Sequence, residues 1–372
     1  MNSAVGILVV IGEMRHGGAQ RVVSRLTEEW VRQGHKVTVA VFDCREVAYA
    51  VGGTLHDLKT PATRNPLVRV WRPIQRVRRL AGLMGGGGFS HIISFMEDSN
   101  FPVILAGWRT GMLGRVTVST HADPRYLAWF QRLLLRGLYQ LPKRVVTVSA
   151  DAQRILQSWG VAEVRLKFIP NPAPASPATP PPRPQFKAKY ILAVGRLHKQ
   201  KGFDLLLHAY TMLANMPAKT GNVAGRVLPD ALPDLVILGE GDQRHPLTQL
   251  ATSLGISQQV HLMGIVANPE DWYAHAECFV LSSRTEAMPN AILEAMRYGC
   301  VVVSFDSATG AEKIIKHREN GVLVRNGDVE GLTRAIAGVL GDAKLRQQLV
   351  AGGRKRAGDF AVGEIARLWL VP

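Results

Sequence analysis

The sequence predicts an α/β protein made of two doubly wound parallel-sheet domains. Three observations predict it. Short apolar runs alternate with amphipathic helical runs along the whole chain. The length, 372 residues, is about twice the usual span of one domain. A proline-dense stretch cuts the chain almost in half.

The elements follow in order. "AVGILVVIG" (4–12) is an apolar strand that runs into the glycine-bearing loop "EMRHGGAQ". "AQRVVSRLTEEWVRQ" repeats its apolar residues at helical spacing and stops at Gly34, and "KVTVAVF" is a β-branched strand. Strand, loop, helix, strand is the opening of a doubly wound domain. "HIISF", "RVTVST" and "RVVTVSA" read as further buried parallel strands, each ending in polar residues where such sheets place ligands. Residues 172–184, "PAPASPATPPPRP", lack any long apolar side chain and read as an extended linker outside a core.

A second alternation follows it. "YILAVG", "DLVILG", "VHLMG", "CFVLS" and "VVVSF" are strands, with "GFDLLLHAYTML" and "PLTQLATSLG" as helices between the first of them. The interval 216–234 reads as an irregular surface loop. The expected boundaries are a first domain over 1–171, a linker over 172–186 and a second domain over 187–356. An apolar helix over 357–372 closes the chain. Two such halves joined by a hinge would face each other across a cleft between their strand ends.

Composition narrows the class. Hydrophobic residues make up 47% and charged residues 20%, which excludes wholesale disorder. No apolar run approaches the roughly 20 residues that span a bilayer. The opening residues lack a basic lead-in and a small-residue cleavage site, so they are not read as a signal peptide. Cys44, Cys278 and Cys300 are odd in number and lie in strand-like contexts, which fits reduced, packed thiols in a cytosolic protein better than disulfides or a metal site. The net charge of +16 is unevenly spread, with 23 Lys/Arg against 11 Asp/Glu in residues 1–180. The first half therefore faces something anionic: a phospholipid surface, a polyphosphate carrier or nucleic acid.

"SSRTEAMPNAILEAMRYGC" (282–300) carries two carboxylates between buried strands. Pro289 suits the first turn of a helix and Gly299 its end. Glu286 then lies in the loop after a strand, and Glu294 within the helix. Between them the helix start, from Met288 through Pro289 and Asn290 to Ala291, offers N–H groups to a phosphate. Carboxylates for hydroxyls beside amides for oxyanions suit a sugar joined to a nucleotide diphosphate. A buried helix with two solvated glutamates fits this stretch alone equally well.

The wider pattern resembles the retaining glycosyltransferases of family 4, with the two-Rossmann-domain GT-B fold. "EAMPNAILE" matches their E-x7-E motif, and "MRHGGAQRVV" is similar to their N-terminal glycine loop. "VGRLHKQKGFDLLL" resembles their G-R-x-x-x-x-K-G signature, and "LVILGEGDQ", "VTVSADAQRIL", "FIPNP" and "NGVLVRNGD" are also typical. The resemblance implies that Arg196 and Lys201 bind the donor diphosphate and neutralise the leaving group, with Gly195 beside them. It implies that Gly17 and Gly18 bring backbone to the diphosphate and reacting sugar, and that His121 contacts the donor sugar. Glu286 would lie beside the donor hexose, Glu294 would accept from the ribose, and Glu240 and Val266 would line the base pocket. Ala287 stands where the family often has glycine, and "TGAEKI" departs from its G-G-x-x-E stretch, so Glu312 is a weaker match. No D-x-D pair offers a metal clamp, and no metal or other cofactor is expected.

The segments 64–85 and 125–144 interleave arginine with Trp, Leu and Val. Arg64, Arg69, Arg72, Arg76, Arg78 and Arg79 lie in the first. Such basic amphipathic helices suit an anionic membrane surface, and a solvated basic face is the plainer alternative. The expected function is transfer of a hexose (N-acetylhexosamine or galactose) from a UDP-type donor to a lipid-linked or polysaccharide acceptor, at the inner face of the plasma membrane. The rivals are a nucleotide-sugar epimerase and a non-catalytic binding subunit. Nucleic acid is not expected as a partner, since no recognisable module supports it.

Overall fold

Among the described residues every pairing between named strands is parallel, as the near-continuous apolar runs require. The computed structural model describes residues 4–63, 65–120, 129–216, 232–306 and 310–371. The chain divides into two units, residues 1–172 with 362–372, and residues 173–361.

The first unit holds strands β1 (Gly6–Met14), β2 (Lys36–Val47), β3 (Thr54–Asp57), β4 (His91–Phe95), β5 (Val116–Thr120), β6 (Arg144–Thr147) and β7 (Leu166–Phe168). Its helices are α1 (Gly18–Arg32), α2 (Pro66–Gly86), α3 (Glu97–Arg109), α4 (Trp129–Leu138) and α5 (Ala150–Ser158). The sheet order is β3-β2-β1-β4-β5-β6-β7, with Val9 beside both Val39 and Ile93. The period-two alternation of a strand divides the core between two faces. Leu8 and Val10 join one apolar cluster, while Ile7, Val9 and Ile11 join the other.

The second unit holds β8 (Tyr190–Val194), α6 (Phe203–Ala214), β9 (Asp234–Leu238), α7 (Arg244–Ser253), β10 (Val260–Gly264), α8 (Pro269–His275) and β11 (Cys278–Leu281). It continues with α9 (Asn290–Arg297), β12 (Val302–Phe305), α10 (Ala311–Ile314), β13 (Val322–Val324), α11 (Val329–Leu340) and α12 (Ala343–Gly358). Its order is β10-β9-β8-β11-β12-β13. Alternation again splits the core: Ile191 and Ala193 pack on one side, Tyr190 and Leu192 on the other.

The last helix, α13 (Val362–Leu370), belongs to the first unit. The Trp30 indole N–H donates to the Ala366 carbonyl at 3.0 Å, and the Trp369 ring lies 5.1 Å from that of Phe95. Arg144 also donates to the Val371 carbonyl. The apolar helix expected over 357–372 is two helices with a break. Ala357 and Phe360 are buried in the second unit's core, where Arg356 lies over the Phe360 ring, so the chain must finish there before it returns. The proline-dense stretch is also less external than its composition implies. Pro172, Ala173 and Pro174 are buried, and the Ala173 N–H donates to the Phe360 carbonyl at 2.8 Å. The expected loop over 216–234 falls mostly on 217–231, outside the described residues.

Trp369 is 3% exposed, so Trp369→Ala should cost the first unit about 3–5 kcal/mol. Urea unfolding followed by circular dichroism tests this. An unchanged midpoint would show that the returning helix adds nothing to stability.

Candidate active site

In a doubly wound sheet, ligands bind outside the carboxyl ends of the strands where the order of strand addition reverses. In the second sheet that point lies between β8 and β11, because chain order runs outward from β8 through β9 to β10 and restarts at β11. The loop after β8 is residues 195–202, and the loop after β11 is residues 282–289. These are the stretches that carry Gly195, Arg196, Lys201, Glu286 and Met288.

The two loops are tied together. The Lys201 ammonium meets the Glu286 carboxylate at 2.5 Å, with their side chains 24% and 11% exposed. The Ser283 hydroxyl donates to the same Glu286 oxygen at 2.7 Å. The Ser282 hydroxyl donates to the Lys201 carbonyl, and the Gln200 amide to the Thr285 carbonyl. Arg284 grips Asp204 with two bonds of 2.8 and 2.6 Å and also donates to the Lys199 carbonyl. That guanidinium holds the Asp204 carboxyl below its ordinary value.

Two glycines make the approach possible. Gly202 lies between a 3₁₀ turn (Lys199–Lys201) and α6 with φ 61°, and a Cβ there would sit 2.1 Å from the Ser282 carbonyl oxygen. Gly239, at φ 137°, passes so close to the Gly195 carbonyl that a Cβ would come within 2.0 Å of it. The Leu197 N–H then donates to the Glu240 carbonyl at 2.9 Å, which locks the β9 loop to the β8 loop.

Each expected residue now has a place. Gly195 packs against the stem of Lys201, where a Cβ would meet the lysine Cδ at 3.3 Å. Arg196 is exposed, and among the described residues its guanidinium meets no hydrogen-bonding partner. An ammonium has three donors, so Lys201 keeps capacity for a phosphate beyond its bond to Glu286. Glu240 turns its carboxylate to Arg244, which depresses its pKa, while its backbone serves the loop contact. Val266, just beyond β10, is half-buried against the core. Met288 and Asn290 are half-buried beside a buried Pro289.

The helix α9 starts at Asn290, and Pro289 is its cap residue instead of its first turn. Glu294 is 2% exposed, and its Oε2 accepts from the Tyr273 hydroxyl at 3.2 Å. Glu312 is exposed on α10. Gly310, in the departing "TGAEKI" stretch, runs so near the Glu286 and Ala287 carbonyls that a Cβ would sit 2.9 Å from each.

Gly17 and Gly18 lie in the first unit, where Gly17 caps α1 in extended backbone and Gly18 opens the helix. The reversal point of the first sheet lies beside them, between β1 and β4. His121 lies outside the described residues. Sequence reasoning missed Ser283, Arg284 and Tyr273. The first two stand next to the motif, whereas Tyr273 comes from α8 and no local signal marks it. Among the described residues no group of three or more His, Cys, Asp or Glu could hold a metal ion.

Residues 180–356 match the family of glycosyl transferases group 1, and residues 16–176 match glycosyltransferase family 4. The chain is related to the family 4 and group 1 glycosyltransferases, whose models together span nearly its whole length. Among curated proteins, the chain is 33% identical over 180 residues to the lipopolysaccharide core biosynthesis glycosyltransferase LpsE of Rhizobium meliloti, covering 48% of this chain and 46% of that one. It is also 33% identical over 181 residues to N-acetylgalactosamine-N,N'-diacetylbacillosaminyl-diphospho-undecaprenol 4-alpha-N-acetylgalactosaminyltransferase of Campylobacter jejuni, covering 49% and 45%. The chain thus spans about half the length of these curated relatives. The solved structure of Anabaena Alr3699/HepE in complex with UDP and glucose shares its fold, with a TM-score of 0.75 at 16% identity and 98% of each chain covered.

Gly202→Ala and Gly34→Ala separate backbone strain from collision. Gly34, at φ 89°, has open space around its would-be Cβ, so alanine there should cost only the roughly 1–2 kcal/mol of left-handed backbone. Gly202→Ala should lower the melting temperature further, because Ser282 must move. Equal losses for the two variants would mean that the loops around Lys201 adapt freely.

Proposed function

We propose that this chain moves a hexose from a nucleotide diphosphate donor, UDP in the first instance, to a hydroxyl of a lipid-linked or polysaccharide acceptor, with retention at the anomeric carbon. The observation that carries this reading is the Lys201–Glu286 pair at the reversal point of the second sheet, in a loop that also carries the exposed Arg196. Arg196 and Lys201 would hold the diphosphate with charge-assisted hydrogen bonds and stabilise it as it leaves. The amide groups at the start of α9 would add to this, beside Met288, Pro289 and Asn290. Glu286 would orient the lysine and meet the donor hexose. Glu294 would accept from the ribose with whatever capacity its bond from Tyr273 leaves. The family resemblance assigns Gly17, Gly18 and His121 to the donor as well. The departing phosphate can take the acceptor's proton, so no protein nucleophile is required.

The sugar follows from the relatives by analogy. The Campylobacter relative is named for transfer of N-acetylgalactosamine to a diphospho-undecaprenol glycan, the Rhizobium relative for lipopolysaccharide core synthesis, and the Anabaena structure holds UDP and glucose. N-acetylhexosamine or galactose remains our choice. The deciding experiment is donor hydrolysis and thermal shift across UDP-, GDP- and ADP-sugars. One donor should stabilise the chain and be slowly hydrolysed. Arg196→Ala should weaken its binding about tenfold to a hundredfold, the worth of one charge-assisted hydrogen bond. Glu286→Ala should cripple turnover without trapping a sugar–enzyme adduct. Silence toward every donor would favour a non-catalytic binding subunit.

The acceptor reading extends to a membrane surface. No described helix is long and apolar enough to cross a membrane. The first unit nonetheless exposes Trp71 on α2, Trp108 on α3 and Trp129 on α4, at 62%, 69% and 72%. Arginines flank them, and Arg132 and Arg136 line a groove with Trp129 and Trp159. Such faces suit peripheral docking on anionic lipid at the cytoplasmic leaflet. At low salt the chain should sediment with vesicles of phosphatidylcholine and phosphatidylglycerol, and 0.5 M salt (a Debye length of about 4 Å) should release it. Failure to sediment at low salt would leave the basic faces merely solvated.

A further inference from the structure

The reversal point of the first sheet holds chemistry of its own. Met96 joins β4 to α3 with φ 71° and ψ 152°, a backbone region that glycine occupies and residues with a Cβ avoid. Its carbonyl accepts from the N–H groups of Ser99 and Asn100, at 3.0 and 2.9 Å. The strained turn sets Glu97 against the neighbouring strand, where the Thr120 hydroxyl at the end of β5 donates to Glu97 Oε1 at 2.6 Å.

Behind this bond runs a buried polar network. The Ser94 hydroxyl donates to Asn100 Oδ1 at 2.6 Å, and the Asn100 amide donates to the Ser119 carbonyl at 3.0 Å and the Tyr139 hydroxyl at 2.9 Å. Tyr139 in turn hydrogen-bonds Thr120. Ser94, Asn100, Ser119, Thr120 and Tyr139 are at most 1% exposed, whereas Glu97 is only partly buried. The network therefore leads from the core to one reachable carboxyl group.

A carboxylate that merely capped α3 would turn to the helix amides and lie low in pKa. Glu97 accepts from its own N–H at the helix start and also reaches across to Thr120 at the end of β5. Burial there outweighs the hydrogen bonds from Thr120 and from its own backbone N–H, and raises its pKa. With Asp98 adjacent, the place repels phosphate and accepts from hydroxyls, the reverse of the cationic place built by Arg196 and Lys201.

We propose that Glu97 binds a hydroxyl of the acceptor sugar, held in position by Thr120 and the Ser94–Asn100–Tyr139 network. This rests on the transferase reading above, which assigns the diphosphate to the second unit. The test uses the full chain, the nucleotide sugar that it hydrolyses, and n-octyl β-D-glucoside, galactoside and N-acetylglucosaminide as acceptors. Glu97→Ala should raise the acceptor KM about tenfold to a hundredfold, the loss of one hydrogen bond to a charged group, while the donor KM stays put. Glu97→Asp should recover part of the loss. Thr120→Val, which removes only the orienting hydroxyl, should shift the acceptor KM in the same direction by less, and keeps the test open if Glu97→Ala fails to fold. An unchanged acceptor KM in Glu97→Ala or Glu97→Asp, or a donor KM that moves instead, would overturn the proposal. So would donor hydrolysis by the natural chain without transfer to any of the three glycosides. Absence of donor hydrolysis would instead remove the transferase reading itself.

Discussion

The Lys201–Glu286 ion pair joins two loops 85 residues apart in sequence, and the architecture of the second site depends on it. Parallel strands deliver both loops to one edge of the sheet, but strands alone do not bring an ammonium and a carboxylate to 2.5 Å. Gly202 does so by letting the backbone press on Ser282, and Gly239 by letting the β9 loop press on Gly195. Arg284 then fixes the outer side of the β11 loop to Asp204. Removing either partner of the central pair would leave the other as a half-buried charge without its counter-ion, which costs more than the pair itself contributes. The site is therefore rigid for a reason separate from substrate. Arg196 and Lys199 are the cations that the β8 loop leaves exposed.

The two sheets place different chemistry at equivalent points. In the second unit the carboxylate after β11 is held by a lysine. In the first, the carboxyl after β4 is held by a threonine hydroxyl at the end of a neutral buried network. A lysine in an ion pair can exchange part of its bonding for a phosphate. A hydroxyl network cannot supply that charge and suits neutral partners. This division follows from which side chains stand behind each carboxyl group on one shared topology.

Much of this was legible in the sequence, for identifiable reasons. Central parallel strands are apolar on both faces, so "YILAV" and "HIISF" could be read without context. Short edge strands such as β3 and β7 could not, because four or three residues carry too little pattern. The loop cations and Glu286 were legible because a motif concentrates them. The Tyr273–Glu294 bond was not, since its partners come from separate helices and meet only through packing. The break before α13 escaped for a similar reason. "AGDFAVGEIARLW" has helical spacing throughout, and only the docking of Phe360 in the second unit's core explains why it stops and restarts. Nor does any composition rule mark Met96, whose backbone is strained by the turn it must make.

The positive charge shows the limit of counting in another way. Arg76 lies 4.0 Å over the Phe42 ring and donates to the Thr60 carbonyl, with burial lowering its pKa. Arg79 donates to the carbonyl of Leu58. These two arginines fasten α2 to the sheet and offer little to a distant anion. Others in the first unit, including Arg132 and Arg136 of α4, remain beside the exposed Trp129. A helix that anchors some arginines inward while keeping tryptophan outward is amphipathic in two senses, bound to its own domain on one side and prepared for an interface on the other. The surplus of charge in the first half is thus part scaffold and part surface, and only the surface part can meet a lipid phosphate.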